Sequence, residues 1–157
     1  MKTFFLSISL LFCALQLSAQ TRIYPSEDGG RTDHSVTISY RGSAISGVCI
    51  LKRTGDNVAG SIVNEFGVKM LDFTYDIRHE KVQCRNIFGM MDRPYIRKTL
   101  KADLQFILSH SAEDGKVETS ERIISVEQGG IWSFSNIDVG LGYLFSPITV
   151  KGYEVEK

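Results

Sequence analysis

From residue 34 onward the chain alternates between short runs of β-forming residues and short polar breaks. Runs rich in branched and aromatic side chains occupy 36–40, 45–53, 58–64, 68–75 and 82–88. The breaks between them carry turn chemistry: Arg41-Gly42, Thr54-Gly55-Asp56, Glu65-Phe66-Gly67 and the polar stretch 76–80. Connections this short join antiparallel neighbours. In the fourth run, Leu71, Phe73 and Tyr75 alternate with Asp72 and Thr74, which places three large side chains on one face of a strand whose other side is mostly wet.

After Met91 the period changes from two to that of a helix. Asp92 is expected to cap it, with Pro94 in a first turn that has no use for its missing N–H. Ile96, Leu100, Leu104 and Ile107 form one stripe, and Arg97, Lys98, Lys101 and Gln105 fall opposite. Tyr95 and Phe106 widen the apolar surface beyond what one flat packing face needs, which suits a helix sunk in a curved sheet, a ligand-facing flank, or both. Asp103 lies at the stripe's margin, where an unpaired charge is costly, and so predicts a nearby Arg or backbone amide as partner. Strand-like runs resume at 117–126, 131–137, 141–145 and 148–155, and Trp132 and Phe134 share a face by parity. This order predicts a mainly β fold, a curved antiparallel sheet or incomplete β-barrel with one amphipathic helix covering the concave face.

The N-terminus reads differently. Lys2 precedes an apolar run over 4–17 that is too short to span a bilayer, followed by Ser18 and Ala19 and an abrupt polar turn at Gln20. The expectation is a signal peptide over 1–19, a flexible Gly- and Pro-containing leader over 20–33, and a lipid-binding-like half-barrel domain over 34–157. Cys13 follows bulky Phe12 rather than small residues, which argues against processing as a lipoprotein. The expected location is therefore outside the cytoplasm, periplasmic or outer-membrane associated, with no transmembrane segment in the mature chain.

Charge and chemistry narrow the function classes. The 157 residues carry 18 basic and 18 acidic side chains, and losing Lys2 with the signal peptide leaves 17 against 18. Such a balance gives no electrostatic footprint for nucleic acid. His34, His79 and His110 are isolated, without metal-ligand spacing, and neither Ser46-Gly47 nor Ser61 sits in a nucleophile elbow. The run from Asp138 to Gly142 precedes no helix that would cradle a phosphate. No catalytic constellation, cofactor or metal site is expected. Cys49 and Cys84 fall in separate runs; a bridge needs Cα atoms within about 7 Å, so two free thiols are favoured while a disulfide stays open.

Several stretches together resemble a known family: Ser46-Gly47-Val48-Cys49-Ile50-Leu51-Lys52, the segment from Gly60 to Gly67, Leu71-Asp72-Phe73-Thr74-Tyr75-Asp76, Tyr95-Ile96-Arg97 and Ala102-Asp103-Leu104. They are similar to the envelope proteins related to the lipoprotein-localisation factors LolA and LolB. The resemblance implies an incomplete antiparallel barrel with an apolar concave face, carrying or receiving the acyl chains of lipoproteins. This chain departs from the family in lacking a lipobox and in having one helix where the carriers have more of a lid, which favours a soluble carrier over an anchored receptor. The expected liners of an acyl-binding trough are Leu71, Phe73, Tyr75, Tyr95, Ile96, Leu100, Leu104, Ile107, Trp132 and Phe134. The alternative is an envelope protein–protein interaction module whose trough is a filled core.

Overall fold

A computed structural model of the chain describes residues 21–148; the expected signal peptide and the run beyond Ile148 lie outside the described residues. Among the described residues, nine strands form one antiparallel sheet. They are β1 (Arg31–Tyr40), β2 (Ser43–Thr54), β3 (Asn57–Asn64), β4 (Lys69–Asp76) and β5 (Lys81–Arg85), then β6 (Val117–Glu118), β7 (Arg122–Glu127), β8 (Ile131–Asn136) and β9 (Leu141–Pro147). Helix α1 (Pro94–Ser109) stands between β5 and β6. The spatial order β5-β4-β3-β2-β1-β9-β8-β7-β6 makes two meanders that meet where β1 pairs with β9, from His34 opposite Pro147 to Tyr40 opposite Leu141. The sheet is not closed into a barrel, and β5 and β6 are its edges.

Hydrogen bonds from one turn of the helix reveal how far the sheet curls. The Gln105 Oε1 accepts the Val82 N–H of β5 at 3.1 Å. Asp103, two residues earlier, is bonded to Asn136 of β8 and Tyr143 of β9. β5 and β8 are six spacings apart in the strand order, about 29 Å in a flat sheet at about 4.8 Å per strand. A helix about 10–12 Å across reaches both only because the sheet wraps around it. Leu100, Leu104, Ile107 and Leu108 of α1 are buried in a single core with Leu71, Phe73 and Tyr75 of β4, Phe134 of β8, and Tyr143 and Phe145 of β9. Gly60 of β3 leaves room for the Phe73 ring, which a Cβ there would strike.

Four local expectations need correction. The segment 21–30 is not a loose leader: Ile23 and Tyr24 are core residues, with the Tyr24 ring 5.8 Å from that of Tyr75. Thr21 accepts a backbone bond from Ala112, Arg22 reaches the Ser109 carbonyl, and Arg53 donates to the carbonyls of Pro25 and Ser26. These bonds, and β1's start at Arg31, move the boundary of the folded part upstream of His34. Asp92 does not cap α1; the N-cap position belongs to Arg93, and Asp92 instead accepts from Arg97 at 2.6 Å. The run 117–126 is two strands, β6 and β7, hinged at Thr119, whose hydroxyl accepts the Arg122 N–H at 3.0 Å. In β4, a register shift opposite Ile62 and Val63 breaks the alternation, so Met70 turns inward beside Leu71 while Lys69 stays exposed.

Candidate functional site

The wrapped sheet and the helix do not fill the same volume along the helix's length. Around its N-terminal half an open apolar cleft of about 550 Å³ remains, within the range of about 300–1,000 Å³ usual for small-molecule sites. Its floor is built by cross-strand pairing: Val36, Ile38 and Tyr40 of β1 alternate onto one face and stand opposite Gly47, Ile45 and Ser43 of β2. Ile62 of β3, Leu71 of β4 and Leu141 of β9 continue that face on either side. Tyr95, Ile96, Thr99 and Leu100 of α1, with Met91 just before it, form the opposite wall. Apolar groups reach the surface here: Tyr95 is 69% exposed, Ile45 45% and Tyr40 42%. Among the described residues, Arg41 is the one charged residue on the lining.

The C-terminal half of α1 is closed. Leu104 and Ile107 are buried, the Phe106 ring lies 5.7 Å from that of Phe134, and His110 meets Trp132 edge-on at 5.6 Å. Asp103 locks this half to the sheet. Its fully buried carboxylate accepts from Asn136 Nδ2 at 2.9 Å, from Arg122 Nε at 3.3 Å and from the Tyr143 hydroxyl at 3.2 Å. Burial pushes the Asp103 carboxyl up, against the lowering effect of its three donors. The same burial, with the carboxylate alongside, raises the Tyr143 hydroxyl well above its ordinary range. The expected partnership of Asp103 with an arginine is met by Arg122, together with two neutral donors from other strands.

Other reactive groups are dispersed. His34 and His110 are buried, each with one ring nitrogen lacking a hydrogen-bond partner among the described residues, and burial lowers both. Cys49 and Cys84 are free thiols on β2 and β5, with two strands between them; burial pushes Cys49 up to about 12. His79 pairs with Asp76 at 2.8 Å on an exposed turn. Among the described residues no three metal-ligating side chains cluster, and no helix is long and apolar enough to cross a membrane.

Neither a protein-family model nor a curated protein matches this chain. Its site must be read from its own geometry. Of the residues expected to line a trough, Leu71, Tyr95, Ile96 and Leu100 border the cleft. Phe73, Tyr75, Leu104, Ile107, Trp132 and Phe134 do not; they belong to the closed core. Missing from the expectation were the hairpin residues Ile38, Tyr40, Arg41 and Ile45. The signal for them was present: apolar alternation in β1 runs out to the very tip of the hairpin, where a strand with only a core to serve turns polar.

Proposed function

We propose that this chain is an exported, non-catalytic carrier of the LolA/LolB-like kind, which takes the acyl part of a lipid or lipoprotein into the cleft beside the N-terminal half of α1. The observation that carries this reading is the cleft itself: an open apolar space of about 550 Å³ with tyrosine and isoleucine side chains exposed at its rim. Burying ten methylenes contributes about 8 kcal/mol, a gross affinity near micromolar. Release then needs a competing apolar site and no chemistry. The closed half of the helix supplies a rigid support, so occupancy need not disturb the core.

The test compares two truncations. Ile96→Ala, on the half-buried cleft wall, should cost about 1 kcal/mol of stability and weaken a fluorescent fatty acid several-fold. Leu104→Ala, in the closed core, should cost about 2–5 kcal/mol and leave that affinity unchanged while the protein is folded. Native mass spectrometry of protein isolated from an envelope fraction should show co-purified lipid. Absence of lipid there, with no fatty-acid binding at any acyl length, refutes the carrier. It would favour an interaction module, to which the β3–β4 turn contributes Phe66, 82% exposed, next to Val68.

A further inference from the structure

The cleft is apolar along its length but electrically asymmetric at its mouth. Arg41 sits at the tip of the β1–β2 hairpin and borders the cleft, whose lining contains no carboxylate among the described residues. Among the described residues Arg41 makes no ion pair; its guanidinium lies over the Tyr40 ring, 5.1 Å from the centroid. Arg78, on the turn before β5, pairs with Asp56; exposed Arg85 and Arg93 share with Arg41 the lack of an ion pair among the described residues, but neither borders the cleft.

The backbone at this position adds an independent observation. Tyr40 and Ser43 are register partners, so the hairpin loop is the two residues Arg41 and Gly42, with φ of 48° and 80°. Such a turn favours Asn, Asp or Gly at its first position, because a left-handed φ crowds the Cβ against the backbone, a clash that glycine avoids and that Asn and Asp offset by local hydrogen bonds. The next hairpin follows the rule, with Gly55 at φ 60° in that place. A strained arginine at a loop tip, unpaired and turned toward an apolar cleft, gains nothing for the turn.

We propose that Arg41 is the headgroup site of this cleft, and that the ligand is a single-chain amphiphile with an anionic head, its tail along α1 and its charge at the guanidinium. This rests on the acyl-binding reading above and names the polar end of the same ligand. Tyr40 holds the guanidinium by its ring face. The five donors of the guanidinium remain directed at a carboxylate or a phosphodiester, either of which an arginine binds in a forked geometry. The carboxylate of a fatty acid and the phosphodiester of a lysophospholipid present the same single charge, so both belong in the test.

The experiment is isothermal titration calorimetry below micellar concentration with four lauroyl or dodecyl probes. They are dodecanoate, lauroyl-lysophosphatidylglycerol, uncharged monolauroylglycerol and cationic dodecyltrimethylammonium. The unmodified protein should bind the two anions about tenfold tighter than the uncharged probe, with the cation weakest and the difference shrinking as salt is raised. Arg41→Asn suits the turn at least as well as arginine, so it should fold with an unchanged or higher Tm while bringing the anion preference to about one. Arg41→Lys should keep most of it; the readout is the ratio of anion affinity to monolauroylglycerol affinity within each variant, so that any general change at the cleft rim cancels. A preference that survives in Arg41→Asn, or that is missing from the unmodified protein while monolauroylglycerol binds, overturns the headgroup assignment alone. Failure of all four probes overturns the acyl-binding reading with it.

Discussion

Replacing Asp103 tests whether the lock between α1 and the sheet is held by charge or by hydrogen-bond geometry. Arg122 and Asn136 both donate to Oδ1, and Tyr143 donates to Oδ2. In Asp103→Ala both acceptors vanish. The Asn136 amide and the Tyr143 hydroxyl, 3% and 2% exposed, lose their acceptor in a dry site, at about 1–3 kcal/mol each. Arg122 is partly exposed and retains Glu121 at 3.3 Å, so it adds little. The expected loss is about 2–6 kcal/mol. Asp103→Asn keeps an oxygen for Asn136 and Arg122 and offers an N–H where Oδ2 stood, which the Tyr143 oxygen can accept. Its expected cost is about 0–1.5 kcal/mol, because the amide also escapes the desolvation penalty of the carboxylate.

The parent and Asp103→Asn also separate in pH. Because burial raises the Asp103 carboxyl above its ordinary 3.8, the folded state holds the proton more tightly than the unfolded state. Its contribution to stability is fully present below pH 3.8 and is lost as pH rises through the folded value. His34 and His110 act with the opposite sign: lowered by burial from 6.5, they favour the fold above pH 6.5 and oppose it as pH falls below that. Urea unfolding of the parent protein and of Asp103→Asn between pH 4 and 8 cancels the histidines in the difference. Stability of the parent relative to the variant should fall as pH rises from 4, then level off. A difference that rises with pH would mean that the three donors outweigh burial, and equal destabilisation by Asn and Ala would mean that geometry matters less than charge.

Two further outcomes follow from the packing. A chain beginning at Arg31 loses Ile23 and Tyr24 from the core, each worth about 1.5–3 kcal/mol, so its Tm should drop on the order of 10 °C; an unchanged Tm would show the segment's contacts to be dispensable. Alkylation of the native protein should label half-buried Cys84 well before Cys49, whose thiol is buried and pushed up to about 12, and unfolding without reductant should expose both; a mass that includes a disulfide would require the strand order to differ.

Much of this fold was legible because its signals are local. Leu71, Phe73 and Tyr75 alternate, and Leu100, Leu104 and Ile107 repeat at helical spacing; all six are buried, while Ile96, earlier in that stripe, is half-buried on the cleft wall. What stayed hidden depends on residues distant in sequence. Nothing near His34 indicates that its strand pairs with residues up to Pro147, yet that pairing joins the two meanders into one curled sheet. Asp103 draws donors from β7, β8 and β9, 19 to 40 residues away, so its local surroundings revealed the cost of its burial but not what offsets it. The upstream segment was misjudged because its glycines, Pro25 and polar residues outvoted Ile23 and Tyr24, two side chains that anchor it. Asp92 failed as a cap by one position: Arg93 occupies the extended residue before the helix, leaving the carboxylate free to reach Arg97.

The same distinction governs the site. Core liners and cleft liners have one composition, and the sequence could not separate Leu100, which borders the cleft, from Leu104 one turn later in the closed core. The difference arises in three dimensions. Gln105 and Asp103 tie α1 to strands from both meanders, and a single helix fills the space there. Toward the N-terminus of α1, the sheet carries its apolar face out along the β1–β2 hairpin, with Ile38 opposite Ile45 and Tyr40 opposite Ser43. Tyr95, on the facing wall of that end, is mostly exposed. A longer helix or a second one would cover this face and turn the cleft into core. Among the described residues α1, with sixteen residues, is the only α-helix, and on the acyl-binding reading proposed above the apolar surface that completes the cleft is supplied by the ligand.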